Sequence, residues 1–305
     1  MTQIQDLRTG PANGRTGSRY WRNKSAYLGV LPFLLFSGLF LLYPTWNVVS
    51  GAFQDASGKF GTQAISEVFN SPIARHAFAT SLEISAKTAI VGAILGGLFA
   101  WAMVSGKQGG YFYRLSVALS SVLAQFGGVM LTFAFLATFG FNGLVSTFAI
   151  KYLPNSFLSD ASWLYGKTGL TVLYTFFQIP LMVLVFLPTL ENLKPQWREA
   201  SDALGGKTYE YWLRVGIPIL TPSFAGAALL LFVNSFSAYA TAATLINLSD
   251  FITPLQIATA LTSEVGGANP AEAKSLSMFM VLVVVVAMSL YALLRRKVSK
   301  WEQRR

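Results

Sequence analysis

The sequence predicts an all-α membrane protein with six transmembrane helices. Hydrophobic residues make up 53% of the 305 positions and charged residues only 12%, which is about half the charged share of a soluble domain. Six segments each hold about 20 largely apolar residues, the length that a helix needs to cross the hydrocarbon core of a bilayer. None of these segments alternates strictly between polar and apolar residues, as the strands of a membrane β-barrel do.

The predicted spans divide the chain into a membrane domain with a tail at each end. The spans cover residues 27–49, 82–104, 115–139, 170–190, 222–246 and 276–294. Residues 1–26 have little apolar content and are expected to be a flexible cytoplasmic tail. Residues 27–296 form the predicted transmembrane domain, and residues 297–305 form a basic cytoplasmic tail.

The distribution of lysine and arginine orients the spans. Of the 23 lysines and arginines, seventeen fall in the two tails and in the loops after the second and fourth spans, and six fall on the other side. Because membrane proteins keep an excess of these residues in cytoplasmic loops, both termini are predicted to be cytoplasmic. The same rule accounts for the net charge of +10 without a nucleic-acid partner.

The chain lacks the residues that most catalytic and metal sites require. It has no cysteine and one histidine, His76, which argues against thiolate ligands, a cysteine nucleophile, a histidine-based metal site and a histidine-dependent triad. It has no phosphate-binding G-x-x-x-x-G-K-[ST] loop, since the Gly-Lys-Thr run at residues 166–168 lacks the upstream glycine. We therefore expect no enzymatic activity, no metal site and no cofactor bound by this chain.

One cytoplasmic loop, residues 191–218, is too apolar for a solvated linker and too charged for a span. Pro195 suits the start of a helix over residues 196–204, and Gly205 with Gly206 supplies a stop, because glycine adopts the left-handed geometry of a helix end. A second amphipathic helix is predicted over residues 207–215, ended by Pro218. Composition alone is equally compatible with an amphipathic segment resting on the bilayer surface.

The spacing within this loop resembles the EAA loop of binding-protein-dependent ABC importer permeases. The family pattern is E-A-A, three residues, G, nine residues, I-x-L-P. Here residues 199–201 read E-A-S, Gly205 follows after three residues, and residues 215–218 read V-G-I-P after nine more. The departures keep a small residue or a similar side-chain volume. Six spans with this loop between the fourth and fifth also suit a type I ABC importer permease.

The resemblance implies that the loop is a coupling element that docks on an ABC ATPase. The residues expected to enter or border the ATPase groove are Arg198, Glu199, Ala200, Ser201, Asp202, Leu204, Gly205 and Glu210. The resemblance further implies a permease subunit of an ATP-driven importer in the bacterial inner membrane, whose partner ATPase homodimer holds the ATP and Mg²⁺. Other implied partners are a second permease subunit, expected to be a different chain, a periplasmic or extracellular solute-binding protein, and membrane lipid.

Polar residues inside the predicted spans mark the candidate solute path, because polar groups at membrane depth are costly and usually face the protein interior or a water-filled cavity. The candidates are Gln125, Gln178, Asn234, Ser237 and Tyr239. The alternative is that these side chains form hydrogen bonds between helices, as serine and threonine commonly do in membranes.

Two further patterns in the second span favour structure over function. Glu83 and Lys87 lie four residues apart, which predicts a self-neutralising pair on one helix face. Gly92, Gly96 and Gly97 place small residues at nearly helical spacing, which predicts close packing against another helix.

The expected solute follows from details of the same resemblance. Residues 203–206 read A-L-G-G, and residues 235–241 read S-F-S-A-Y-A-T. Both are similar to motifs of the branch that carries polyamines, ferric iron, thiamine, sulfate and phosphonate. We therefore expect a polyamine of the spermidine/putrescine type, or another small charged solute such as phosphonate, ferric iron or thiamine. The alternatives are a sugar-type ABC permease and a motor-independent secondary transporter, which would require coupling carboxylates or inverted repeats in the spans.

Overall fold

The computed structural model describes residues 24–54, 60–106, 109–154, 156–245, 252–262 and 270–303. Over these residues the chain is helical, and its β-structure is an isolated bridge between Gln54 and Phe60. Most of the predicted N-terminal tail, residues 1–23, lies outside the described residues, as do residues 304–305.

The number of predicted spans is confirmed. Among the described residues, six helical stretches are long and apolar enough to cross a membrane. They are Gly29–Gly51, Pro72–Ser105, Gly128–Tyr152, Lys167–Glu191, Thr208–Phe236 and Pro270–Leu294. The third of these is a candidate by length and composition only, and it joins two separate helices, Gly128–Phe139 and Leu144–Tyr152. The predicted third span, residues 115–139, is instead interrupted just before Gly128, as described below.

The described chain divides into two compact units, residues 24–47 and residues 48–303. The first unit holds helix α1, Lys24–Ser37, a π-helical turn, Gly38–Leu42, and the start of helix α2, Tyr43–Gly51. Between Gly29 and Asn47 no described residue is buried, and the exposed side chains are mainly leucine and phenylalanine. Such an all-round apolar helix suits a membrane environment.

The second unit holds the remaining helices. They are α3 (Gln63–Asn70), α4 (Pro72–Ser105), α5 (Tyr111–Gln125), α6 (Gly128–Phe139), α7 (Leu144–Tyr152), α8 (Lys167–Glu191), α9 (Pro195–Ala203), α10 (Thr208–Tyr211), α11 (Ile217–Phe236), α12 (Ala240–Leu245), α13 (Thr253–Thr262) and α14 (Pro270–Gln303). A 3₁₀ turn, Ala161–Tyr165, precedes α8, and a π-helical turn, Trp212–Gly216, joins α10 to α11.

Helices α4 and α8 pack closely against each other, and glycines of α4 make this possible. A Cβ atom added at Gly96 would lie 2.6 Å from the carbonyl oxygen of Ile179 and 2.6 Å from the Cβ of Met182. One added at Gly92 would lie 2.6 Å from the Cβ of Gln178. Small residues allow helix backbones to approach closely in membranes, so the packing predicted for these glycines is confirmed.

The second unit holds two apolar clusters and a buried hydroxyl pair. One cluster joins α4, α8 and α11, with Ala93, Met182 and Leu231 among its members, and the other surrounds Leu131 and Tyr174. The buried hydroxyls of Thr88 in α4 and Ser235 in α11 lie 2.9 Å apart. This hydrogen bond joins the two helices, because a buried polar group without a partner costs free energy.

The third predicted span is wrong as a single continuous helix. The structure ends α5 at Gln125 and begins α6 at Gly128. Gly128 has φ of +66°, a left-handed conformation that glycine adopts without the steric cost that other residues bear. Phe126, between the two helices, has φ −83° and ψ 67°, outside the helical region.

The fifth predicted span also contains a break, and Pro218 does not end a helix as predicted. The helical path continues from Thr208 through the π-helical turn and α11 to Phe236, and α12 begins at Ala240. Proline lacks an N–H and clashes with the carbonyl four residues back. The wider i→i+5 pattern of the preceding π-helical turn and the position of Pro218 in the first turn of α11 remove this conflict.

Substituting Gly96 by alanine is expected to loosen the α4–α8 pair. The added methyl group meets a backbone oxygen, which moves only with the helix, and overpacking of this kind costs about 1–3 kcal/mol. We expect a lower thermal unfolding temperature for the detergent-solubilised protein. Gly29→Ala is the control, because no atom lies within 4 Å of a Cβ at Gly29. An equal response of the two variants would contradict the close-packing assignment.

Candidate functional site

Helix α9 is a short helix that the described chain leaves uncovered. None of its residues is buried, and Leu204, directly after the helix, is 90% exposed. Pro195 occupies the first turn, where its missing N–H costs nothing. The predicted helix over residues 196–204 is therefore confirmed to within one residue at each end.

The turn after α9 depends on two glycines. Gly205 has φ of +77°, the left-handed conformation in which glycine is strongly favoured. The N–H of Gly206 donates to the carbonyl of Ser201 at 2.9 Å, and a Cβ on Gly206 would lie 2.7 Å from the Ser201 hydroxyl. The predicted end of the helix at this glycine pair is thus confirmed. A larger residue is disfavoured at Gly205 by the positive φ and at Gly206 by the nearby Ser201.

A single helical path leads from this turn into the membrane domain. It runs over the 29 residues Thr208–Phe236, which at 1.5 Å per residue is about 43 Å. Near its start the indole ring of Trp212 packs edge-on against Trp101 of α4, with centroids 6.1 Å apart. A Cβ at Gly216 would lie 2.6 Å from the Trp212 ring, so the ring is held between α4 and the π-helical turn.

The structure places the predicted coupling residues on α9 and its flanks. Arg198, Glu199, Ala200, Asp202, Leu204 and Gly205 are exposed, and Ser201 is half-buried. Glu210 has a local contact, since its carboxylate accepts a hydrogen bond of 3.0 Å from the backbone N–H of Lys207. That bond stabilises the first turn of α10 in the manner of a capping box.

The breaks in the third and fifth spans lie against each other. A Cβ at Gly128 would lie 3.5 Å from the Cβ of Ala240, and the Thr132 hydroxyl of α6 donates to the carbonyl of Thr241 at 3.4 Å. The phenol of Tyr174 in α8 donates to the carbonyl of Ala238 at 2.6 Å. The residues of the α5–α6 and α11–α12 breaks, with Gln125 and Asn234 that flank them in the chain, are together called the break face below.

Four of the five candidate path residues lie on the break face. Gln125 ends α5, Asn234 is on the last turns of α11, and Ser237 and Tyr239 are in the α11–α12 break. All four are at least partly exposed, Tyr239 by 45%. The Ser237 hydroxyl donates to the carbonyl of Val233 at 2.9 Å, and its oxygen keeps accepting capacity.

Gln178 is separated from the other four candidates. It is fully buried, and its side-chain amide donates to the carbonyl of Leu231 at 2.8 Å. This contact joins α8 to α11, which is the helix-to-helix alternative considered from the sequence. Its Oε1 has no hydrogen-bond partner among the described residues.

Sequence reasoning missed both breaks and the Trp212 contact. Adjacent glycines often interrupt helices, so the Gly127–Gly128 pair is a signal for the first break. The long apolar run around this pair nevertheless predicts a continuous span. The α11–α12 break carries no glycine or proline, so no local signal exists. The Glu83–Lys87 pair does form as an ion pair on the surface of α4, as predicted.

The described residues contain no cluster of three or more histidine, aspartate or glutamate side chains that could hold a metal ion. The candidate path residues offer amide, hydroxyl and phenol groups, which suit hydrogen bonding. Helix α9 adds the exposed charges of Arg198, Glu199 and Asp202.

No protein-family model matches the chain. Curated proteins with similar sequences are transport permeases. Over 217 residues, or 70% of this chain, it is 22% identical to the putative ferric transport system permease protein FbpB 1 of Haemophilus influenzae. Over 211 residues, or 68% of this chain, it is 26% identical to the sulfate transport system permease protein CysT of Escherichia coli. The matched part covers about a third of the length of the ferric transport permease and 69% of CysT.

Solved structures share the fold over nearly the whole chain. A bacterial ABC transporter involved in the import of the acidic polysaccharide alginate matches with a TM-score of 0.69 and 15% identity, covering 89% of this chain and 95% of that one. A bacterial alginate ABC transporter in complex with an alginate pentasaccharide-bound periplasmic protein matches with a TM-score of 0.67 at 15% identity, covering 92% of this chain and 99% of that one. The chain is therefore a multi-pass α-helical protein with the fold of an ABC importer permease.

Proposed function

We propose that this chain is the permease subunit of an ATP-driven importer, with α9 as the helix that docks on the ATPase. The observation that carries the proposal is the uncovered helix α9, which holds the E-A-S…G spacing and ends in a glycine-dependent turn. The shared fold and the names of the relatives support the same function.

The chemistry of α9 suits insertion into a groove on another protein. The exposed residues Ala200 and Ala203 let a partner approach the helix closely, and Leu204 offers an apolar anchor of 90% exposure. Arg198 and Glu199 supply charges at the rim. Short helices dock in grooves through such an anchor and small-residue face, and the flanking charges set specificity.

The helical path over Thr208–Phe236 would carry motion from the docked helix to the solute. One end of this path follows the Gly205 turn, and the other end reaches the break face at Asn234 and Ser237. Because a helix is stiff along its axis, a displacement at one end reaches the other. Movement of α9 with the ATP cycle would then open and close the break face, as alternating access requires.

The break face is the proposed solute path, with Gln125, Asn234, Ser237 and Tyr239 as its polar lining. Irregular backbone at membrane depth is tolerated where it is buried in protein or lines a water-filled cavity. On this subunit the break face is open at the surface. A closed path therefore needs a second permease subunit opposite it, and we retain the proposal that this is a different chain.

The proposed solute is a small oxyanion such as sulfate, with ferric iron as the second candidate. The curated relatives are named for sulfate and ferric transport, and the solved transporters for acidic alginate. The four lining residues are neutral, and the N-terminus of α6 adds unpaired backbone N–H groups, which favour anions. A polyamine would require carboxylates, and the break face holds none among its described residues. The expectation of a polyamine therefore has no support beyond the motif resemblance.

The remaining partners follow from the same proposal. The ATPase is a homodimer that binds ATP and Mg²⁺, so the chain itself stays non-catalytic. A solute-binding protein delivers the solute on the outer side, by analogy with the solved alginate transporter that is in complex with its periplasmic protein. The location is the bacterial inner membrane.

Gly205→Val is expected to uncouple the chain from its ATPase. Valine at φ +77° is strained by about 1–2 kcal/mol, so the turn and the orientation of α9 should change. We expect roughly five- to thirtyfold less ATPase to co-purify with the tagged permease in detergent, since about 1.4 kcal/mol is a factor of ten in affinity. Gly109→Val is the matched control, because Gly109 also has positive φ, +74°, and open space around it.

The two variants separate backbone strain from docking. If Gly205→Val and Gly109→Val retained the same amount of ATPase, the turn would have no special role. If replacing residues 196–204 by nine glycines and serines left ATP-driven uptake intact, the docking assignment of α9 would be wrong.

Ser237→Ala is expected to slow uptake of radiolabelled sulfate. Sulfate can only accept hydrogen bonds, so the Ser237 hydroxyl would rotate from the carbonyl of Val233 to donate to a sulfate oxygen. A hydrogen bond to a charged group is worth about 1.5–3 kcal/mol, so its loss should slow uptake about tenfold or more. The control is Thr221→Ala, which removes a hydroxyl that also donates to the carbonyl four residues back, 2.7 Å away, but in the first turns of α11.

The solute is identified by uptake assays with labelled ferric iron and labelled spermidine, which are run in parallel with the sulfate assay. Sulfate uptake that requires the binding protein and ATP supports the oxyanion assignment. Spermidine uptake in its place would reject the oxyanion and leave the importer assignment intact, whereas equal rates for Ser237→Ala and Thr221→Ala would reject the break face as the path.

A further inference from the structure

Helix α7 lies beyond the outer end of the third span, because the contacts of α5 and α6 with α8 assign that span to α5 and α6 and not to α6 and α7. Helix α5 starts beside the last residue of α8, since the Tyr113 phenol donates to the Glu191 carboxylate. Helix α6 ends beside the start of α8, since Phe139 packs edge-on against Trp163 at 6.1 Å. Together α5 and α6 therefore cross the same thickness as the 25-residue α8, and α7 begins where that crossing is complete.

The connection between α6 and α7 folds the chain back on the end of α6. The N–H of Gly140 donates to the carbonyl of Leu136 at 2.9 Å, and the N–H of Gly143 to the carbonyl of Gly140 at 2.8 Å. The Ser146 hydroxyl of α7 donates to the carbonyl of Phe139 at 3.0 Å. Ser146 and Ala149 are thus the buried edge of α7, and the helix lies across the end of α6 instead of extending it.

The exposed surface of α7 carries a broad apolar stripe and a narrow polar stripe, with the exposed Ile150 beyond the polar one. Leu144, Phe148 and Tyr152 recur every four residues and are all exposed, so they share one side of the helix. Thr147 and Lys151, also exposed and four apart, form the neighbouring stripe. The rings of Phe148 and Tyr152 lie 4.6 Å apart, and the Lys151 ammonium lies 5.3 Å from the centre of the Tyr152 ring.

More aromatic side chains cluster between the end of α6 and the start of α8. Phe141 stacks on Tyr165 at 4.9 Å, and Phe157 packs on Trp163 at 5.0 Å. Tyrosine and tryptophan are enriched where the hydrocarbon core meets the headgroups. A helix that separates apolar from basic residues lies in that interface, with its apolar side towards the acyl chains and its lysine towards phosphate.

We propose that α7 lies in the outer headgroup layer of the membrane, with Leu144, Phe148 and Tyr152 among the acyl chains and Lys151 binding a phospholipid phosphate. Charge complementarity with phosphate and the aromatic cluster at the outer end of the third and fourth spans favour lipid over a second protein. Such a helix fixes the outer end of α6, whose other end forms the break face. The inference is independent of the proposed solute and motor.

The absence of cysteine makes single-site spin labelling direct. Nitroxide labels are placed one at a time at Phe148, Thr147 and, as an outer aqueous reference, the exposed Asp160. The assembled permease is held in nanodiscs of phosphatidylethanolamine and phosphatidylglycerol. Collisions with oxygen should exceed those with a nickel chelate at Phe148, and the order should reverse at Thr147 and Asp160. A nickel-dominated signal at Phe148 would overturn the proposal, and protection from both reagents would overturn it by showing that a protein covers α7.

Lys151→Gln tests the phosphate contact separately. A basic residue near an anionic surface contributes about fivefold to binding, so this variant should retain about fivefold less phosphatidylglycerol by native mass spectrometry. The control is Lys87→Gln, because Lys87 is already paired with Glu83. Equal retention by the two variants would overturn the assignment of Lys151, and loss of lipid on adding inorganic phosphate would overturn it in favour of a site for free phosphate.

Discussion

The fold depends on one constraint: inside a bilayer, every backbone N–H and C=O must find a partner within the protein. Helices satisfy it along their length, so each interruption needs a separate solution. The chain places its two interruptions against each other, where the Thr132 hydroxyl of α6 reaches the carbonyl of Thr241 and the Tyr174 phenol reaches the carbonyl of Ala238. Beside the two breaks, the polar side chains of Gln125, Asn234, Ser237 and Tyr239 are exposed, and these are the groups that we propose line the solute path.

The rest of the second unit serves as a frame for this arrangement. Gly92 and Gly96 bring α4 and α8 close enough that side chains of α8 pack on the backbone of α4. The buried pair of Thr88 and Ser235 joins α11 to the same frame. The frame therefore holds α11 at two depths, by the Trp101–Trp212 contact near the cytoplasmic end and by Ser235 next to the break.

Sequence patterns predicted what local composition determines. The number of spans follows from runs of apolar residues, and the end of α9 follows from a glycine at a position that requires positive φ. The α5–α6 break has a readable signal in Gly127 and Gly128, but the surrounding apolar run favoured a continuous helix. The α11–α12 break could not be predicted, because its residues favour no turn and a contact from a distant helix, Tyr174 to Ala238, stabilises it. The burial of Gln178 could not be predicted either. Whether a side chain in a span is exposed depends on which helix lies opposite it, and local sequence does not show this.

The π-helical turn at Trp212–Gly216 has a consequence at the far end of its helix. A π-helical turn corresponds to one extra residue in an α-helix, and each residue rotates the following helix by about 100°. The direction in which Asn234 points, outward, and that of Ser235, inward, are thus set some twenty positions earlier. If the same residues formed a regular α-helix at this turn, Asn234 would take the inward direction of Ser235, and Ser235 would take the buried direction of Phe236. The π-helical turn at the cytoplasmic end of this helix therefore determines which side chains face outward at its other end, next to the break.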